Sequence, residues 1–170
     1  MQDQISQAIK QELIRRICEE SIPRILKCLT HLTEQQLTWR PNNHTNSVAN
    51  LIIHLNGNVR QWLLASLRNT PYKRQRDQEF LPKTTSTQKE LQELLQVLNQ
   101  DIQKASLQLN QNYLETNFSI QGFQEKGISI VIHVIEHFSY HTGQITYITK
   151  QLQDMDTAYY SGFDLNQQNQ

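Results

Sequence analysis

The residues of this chain best suited to chemistry are histidines. Of six in 170 residues, His133, His137 and His141 recur at every fourth position of IHVIEHFSYHTGQI, the otherwise largely apolar stretch 132–145. On a helix, imidazoles at i and i+4 stand on neighbouring turns, where both can reach one ion. Burying two imidazoles without partners is costly, so the pattern needs a physical reason. Two are open. The imidazoles can be ligands to a divalent ion, which requires a third ligand, or they can hydrogen-bond polar side chains along a wet groove.

Helical geometry makes these histidines unequal. With His133 set at 0°, His137 falls at about 40° and His141 at about 80°. Ile130, Val134, Phe138, Ile145, Ile148 and Leu152 span roughly 60° to 140°, the arc that should face a core. His141 lies inside that arc, His137 on its near edge, and His133 drifts outward. Gln144, at about 20°, lies beside the histidines. Glu136, at about 300°, should face solvent, and Tyr140, at about 340°, lies near an interface.

The best third ligand is His54, in VANLIIHLNGNVRQWLLASL. It flanks a stripe formed by Val48, Leu51, Ile52, Leu55, Val59 and Trp62, with Asn58 one turn further on. Spacing leaves open the alternative that His54 is a boundary residue bonded to water. His31 and His44 fall at a helix end and in a loop and read as surface residues. There is no G-x-S-x-G elbow, and neither Cys18 nor Cys28 carries an activation signal in its neighbours.

Four segments have the helical periodicity needed to position these residues. The first runs over about 4–31, with Pro23 predicting a kink or break after Ser21, which could cap a restart. The second begins at a Ser47 cap and ends near Arg68, before Asn69-Thr70-Pro71. A polar linker follows, in which YKRQRDQEF at 72–80 reads as a solvated loop. TQKE at 87–90 is a capping-box pattern opening a third helix to about Asn110. YLETNFSIQGFQEKG leans toward a loop or short hairpin, and the fourth helix covers about 128–153. Amphipathic helices of this length bury their stripes most simply as an all-α four-helix bundle, with room for a long crossover connection. The expected boundaries are a bundle over 1–155 and a polar C-terminal tail over 156–170.

Composition narrows the function classes. Sixteen basic residues balance sixteen acidic ones, leaving no global field to hold a nucleic-acid backbone or an anionic membrane. No apolar run approaches the ~20 residues of a membrane span, and the N-terminus lacks the apolar core of a secretory signal. Cys18 and Cys28 would stand about 15 Å apart along one helix, too far to bridge. A cytoplasmic location with both thiols reduced is expected.

NSVANLIIHLNGNVRQW and EHFSYHTGQI together resemble the second and fourth helices of the DinB-like superfamily, and the resemblance spans about 10–153. It implies a four-helix bundle in which three histidines hold a divalent metal. By position these are His54, His137 and His141, with His133 outside the motif. The resemblance also implies a homodimer and, in some members, a metal-dependent transferase or isomerase using bacillithiol, mycothiol or glutathione. Zinc or nickel is the expected ion, and a small thiol and an electrophile are the expected substrates. Three neutral imidazoles leave an open coordination position, where a bound thiol would lose its proton. Asn58, Arg60, Tyr140 and Gln144 are then the groups that could contact substrate or support the ligands. A non-catalytic metal-binding bundle, serving as a structural or stress-response module, is the alternative.

Overall fold

The computed structural model describes residues 2–82 and 86–168; residues 1, 83–85, 169 and 170 of the expected boundaries lie outside it. The chain begins with one long helical run: α1 (Gln2–Leu13), a π-helical segment (Ile14–Ser21) and α2 (Ile22–His31). Of the kink or break expected after Ser21, the break does not occur. Ser21 has helical dihedrals, φ −72° and ψ −48°, and its side chain makes no capping bond. Pro23 lacks an amide donor and crowds the preceding turn of an α-helix. Here the preceding turn is the wider π form, in which the Ile22 amide reaches back to the Ile17 carbonyl. That wider turn also takes up the step of five between buried Ile17 and Ile22, so both halves present one apolar face.

After the short helix α3 (Glu34–Leu37), α4 (Val48–Val59) starts at Ser47, as its sequence predicts. The Ser47 hydroxyl accepts from the Asn50 amide, and the Asn50 side chain accepts from the Ser47 amide. The helix continues through a second π-helical segment (Arg60–Leu64) into α5 (Ala65–Arg68) and stops at left-handed Asn69, φ 47°. A single turn, α6 (Arg76–Glu79), interrupts the next connection. The Thr87–Glu90 capping box then opens α7 (Gln88–Ser106), which ends a turn short of the expected Asn110. Beyond it come α8 (Gln111–Glu115) and an antiparallel hairpin of β1 (Asn117–Ile120) and β2 (Phe123–Lys126). Its turn residues, Gln121 and Gly122, both have positive φ, 52° and 84°, which suits the twist of a two-residue hairpin loop. The last helix, α9 (Gly127–Gln153), ends at Asp154 with φ 47°.

Among the described residues helix makes up 67% and strand 5%, so the hairpin is an insertion in a helical framework. α9 packs against α2 and α4, and α7 packs against the same two helices. The core between them contains Ile25, Leu29, Leu55, Leu95, Leu98 and Phe138, all fully buried. Among the described residues, no helix is long and apolar enough to cross a membrane. Residues beyond α9 fold back before the chain becomes exposed. The Tyr159 hydroxyl lies 2.9 Å from Thr146 Oγ1 and 3.1 Å from Cys28 Sγ, and Arg24 covers the rings of Tyr159 and Tyr160. Residues 161–168 are exposed throughout. Cys18 and Cys28 are buried free thiols, and burial pushes Cys18 up to about 12.

One buried amide ties the connection after α5 to the start of α4. Asn50 Oδ1 accepts from the Ser47 hydroxyl at 2.7 Å and from Arg40 Nη2 at 2.6 Å. Its Nδ2 donates to the carbonyls of Glu79 at 2.7 Å and Leu81 at 2.9 Å. Arg40 Nη2 also donates to the Phe80 carbonyl at 2.7 Å. The carbonyls of residues 79–81, at and just past the end of α6, therefore take their partners from these two side chains. Asn50→Ala should cost roughly 2–4 kcal/mol, because several buried groups lose their partner at once. Urea unfolding measures this; a loss below ~0.5 kcal/mol, the scale of a surface change, would contradict the role given to Asn50.

Candidate metal centre

α4 and α9 bring together the three histidines singled out as ligands. His54 comes from the middle of α4 and His137 and His141 from successive turns of α9, and their ligand nitrogens all lie within 4.8 Å of one another. His54 and His141 are buried and His137 is partly buried. His54 Nε2 and His137 Nε2 are 2.9 Å apart, although 83 residues separate them in the chain. The rings of His54 and His141 meet edge-on at 5.1 Å, and those of His137 and His141 at 4.5 Å.

The free nitrogen of each ring is set by what the other nitrogen bonds. His54 Nδ1 lies 2.9 Å from Glu79 Oε2 and 3.0 Å from Arg74 Nη2. Arginine can only donate, whereas the carboxylate can only accept, so the two neighbours demand opposite tautomers. The carboxylate decides the matter, since Arg74 Nη2 already has Glu79 Oε2 at 2.6 Å and the His54 carbonyl at 3.3 Å as acceptors. His54 Nδ1–H therefore donates to Glu79, and its Nε2 lone pair faces His137. His141 is oriented in the same way, with Nδ1–H donating to Gln144 Oε1 at 2.7 Å. A hydrogen-bond acceptor behind a histidine fixes its tautomer and makes the exposed nitrogen a better ligand.

Glu79 and Arg74 form a two-pronged ion pair, Nε to Oε1 and Nη2 to Oε2, each at 2.6 Å. Their side chains are only 8% and 3% exposed, so the pair is held in a dry setting. Burial tends to raise the Glu79 carboxyl, but the bonds from His54 and Arg74 outweigh it and hold the group below its ordinary value. Gly57, one turn after His54, makes the approach possible. A Cβ there would lie 2.1 Å from Glu79 Oε1 and 2.8 Å from Arg74 Nε. The absent side chain lets the ion pair lie directly on α4.

Most of 72–80 is exposed, as a solvated loop would be, but Arg74, Glu79 and Phe80 turn inward, and the first two are the charged residues that orient His54. The phenyl ring of Phe80, from the same segment, closes over the His54 ring at 4.8 Å. No motif marks Arg74 or Glu79. The available signal was chemical: a buried ligand histidine needs an acceptor behind it, and Glu79 lies in the connection that returns past α4.

The remaining expected residues separate. Gln144 contacts His141 directly. Tyr140 is 64% exposed, with its ring edge-on to His141 at 5.1 Å. Asn58 is buried beside the cluster, its Nδ2 lying 3.3 Å from His133 Nε2. Among the described residues its Oδ1 has no hydrogen-bond partner. Arg60 instead bonds Asn56 at 3.0 Å and pairs with Asp101 at 3.0 Å, on the side facing α7. His133, expected outside the ligand set, stacks between Trp62 at 4.1 Å and His137 at 5.4 Å.

Residues 5–161 match the family described as "Protein of unknown function (DUF1572)". The chain belongs to that family. No curated protein matches it. The matched span contains all three clustered histidines together with Arg74, Glu79 and Gln144, so the centre belongs to the family's domain rather than to an appended segment.

Two imidazoles of the centre are held below their ordinary value. Burial, followed by the neighbouring His141 and His54, lowers His137 to about 3 from an ordinary 6.5. Burial also lowers His141, against the opposing bond to Gln144. A group whose folded pKa is depressed contributes its stability fully above its unfolded value, here 6.5, and loses it as pH falls toward the folded value. Chelator-treated protein should therefore unfold at lower urea at pH 5.0 than at pH 7.5, with the difference reduced in His137→Asn. Equal midpoints at the two pH values in the unaltered chain would refute this.

Proposed function

We propose that the chain is a divalent-metal-binding protein of the DinB-like four-helix-bundle type, in which His54, His137 and His141 hold one ion for the transfer of a small thiol. The observation that carries this reading is the orientation of His54. Its Nδ1–H is committed to Glu79, leaving the Nε2 lone pair 2.9 Å from His137 Nε2. The chemistry of the donor set fits a divalent ion. Tetrahedral zinc with nitrogens at ~2.0–2.1 Å spaces its ligands about 3.3 Å apart, between the closest pair and the outer limit of this cluster. Burial lowers His137 and His141, which favours the neutral form that ligation requires. Zinc and nickel both suit imidazole.

An ion held by three histidines with an open position supplies acidity to an incoming thiol. The residues of the chain do the rest. Glu79 and Gln144 hold two imidazoles in the ligating tautomer, Phe80 covers one side of His54, and partly buried His137 leaves a route in. In the overall reaction the thiol sulfur bonds to the electrophilic carbon, the leaving group departs with its electron pair, and the thiol proton passes to solvent.

The non-catalytic reading also has an observation in its favour. An ion shared by α4 and α9 would cross-link two helices far apart in sequence, as structural metals do. One set of measurements separates the two. Tag-free protein should hold near-stoichiometric zinc or nickel, and the His54, His137, His141 triple alanine variant should lose it; full retention would refute the ligand set. The metal-loaded chain should conjugate at least one of several thiols to 1-chloro-2,4-dinitrobenzene, releasing chloride. No rate above background, together with a strong loss of thermal stability on chelation, would favour the structural role.

A further inference from the structure

A groove of about 530 Å³ runs along α9 beside the histidine cluster. Two residues form the boundary between them. Gln144 lines the groove and accepts from His141 Nδ1, and Tyr140 lines it with its ring against His141. The floor continues along α9 through Gly143 and Tyr147, and the opposite wall is Trp39 and Pro41 from the segment leading into α4. Leu51, one turn before His54 on α4, also lines it.

Gly143 is the observation that internal packing does not explain. A glycine inside a long helix is destabilising, so a close contact usually accounts for it. At Gly57 that contact is the Arg74–Glu79 pair. At Gly143 a Cβ would meet nothing within 4 Å. Tyr140, Gly143 and Tyr147, spaced i, i+3 and i+7, share one helix face. Both tyrosine rings are largely exposed, at 64% and 70%. The bare backbone between them leaves a flat-bottomed slot with an aromatic ring at each end. Among the described residues, no carboxylate, lysine or arginine lines the groove; its polar groups include the imidazole of His44, the hydroxyl of Thr45 and the amides of Asn46 and Gln151. Such a lining carries no permanent charge, and with aromatic rings and bare backbone over most of its length it suits a flat apolar body with a hydrogen-bonding edge.

We infer that this groove binds a neutral, planar aromatic small molecule over Gly143, between Tyr140 and Tyr147, with one end at Gln144 and His141. The inference names the substrate class of the site described under Proposed function and rests on that reading for the reaction, though not for binding.

N-phenyl-1-naphthylamine, a neutral aromatic probe that brightens in apolar surroundings, tests it on the full chain with and without zinc. Saturable one-site binding is expected, with Trp39 emission quenched. Gly143→Leu fills the slot and should weaken binding at least tenfold, as should Tyr147→Ala, while both keep the bound zinc of the unaltered chain. Phe123→Ser, at an exposed aromatic on the hairpin, should bind normally. No saturable binding, or undiminished binding in both groove variants, overturns the inference even if zinc content is normal. So does a chain that sediments as a dimer and becomes monomeric in Gly143→Leu, since the face would then meet a second copy. Probe binding that survives in the zinc-free triple histidine variant supports the groove as a site in its own right, whether or not the metal reading holds.

Discussion

The hydrogen bond from His54 Nδ1 to Glu79 connects the segment after α5 to the centre between α4 and α9. Without a carboxylate behind it, His54 would be free to present either nitrogen, and Arg74 would favour the wrong one by donating to Nδ1. With Glu79 in place, Arg74 neutralises the carboxylate instead and the Nε2 lone pair points inward. The geometry of the cluster thus depends on a buried ion pair, which is costly to desolvate but specific in direction.

Several otherwise unrelated features serve that contact. Gly57 accepts the disadvantage of glycine in a helix interior so that Glu79 can lie on α4. Asn50 and Arg40 hold the carbonyls of residues 79–81, fixing the backbone from which Glu79 projects. The capping box at Ser47 sets where α4 begins, and through the helical rise it sets the position of His54. On the other side, α9 carries His137, His141 and Gln144 on a single rigid element, so their mutual placement needs no further support.

What the sequence disclosed follows the same division. The positions of His137, His141 and Gln144 obey one helical period, and the angular order derived from it matches their burial: Phe138 and Ile145 inside, Tyr140 and Glu136 outside. Ser47 and Thr87 were legible because capping chemistry is local. Arg74 and Glu79 were not, because they sit in a segment without periodicity whose function depends on a contact across the fold. The same holds for Tyr159, whose packing against Cys28 is invisible in a polar tail. The continuous helix through Pro23 was hidden for a different reason: a π-helical turn lies outside the α-helical period against which the sequence is read.

X-ray absorption at the metal edge of zinc-loaded protein tests the central claim most directly, because it counts ligands and identifies them. Three imidazole nitrogens at ~2.0–2.1 Å plus one exchangeable oxygen ligand are expected, with one imidazole lost in His54→Ala. A shell containing sulfur, an all-oxygen shell, or a spectrum unchanged by His54→Ala would contradict the account.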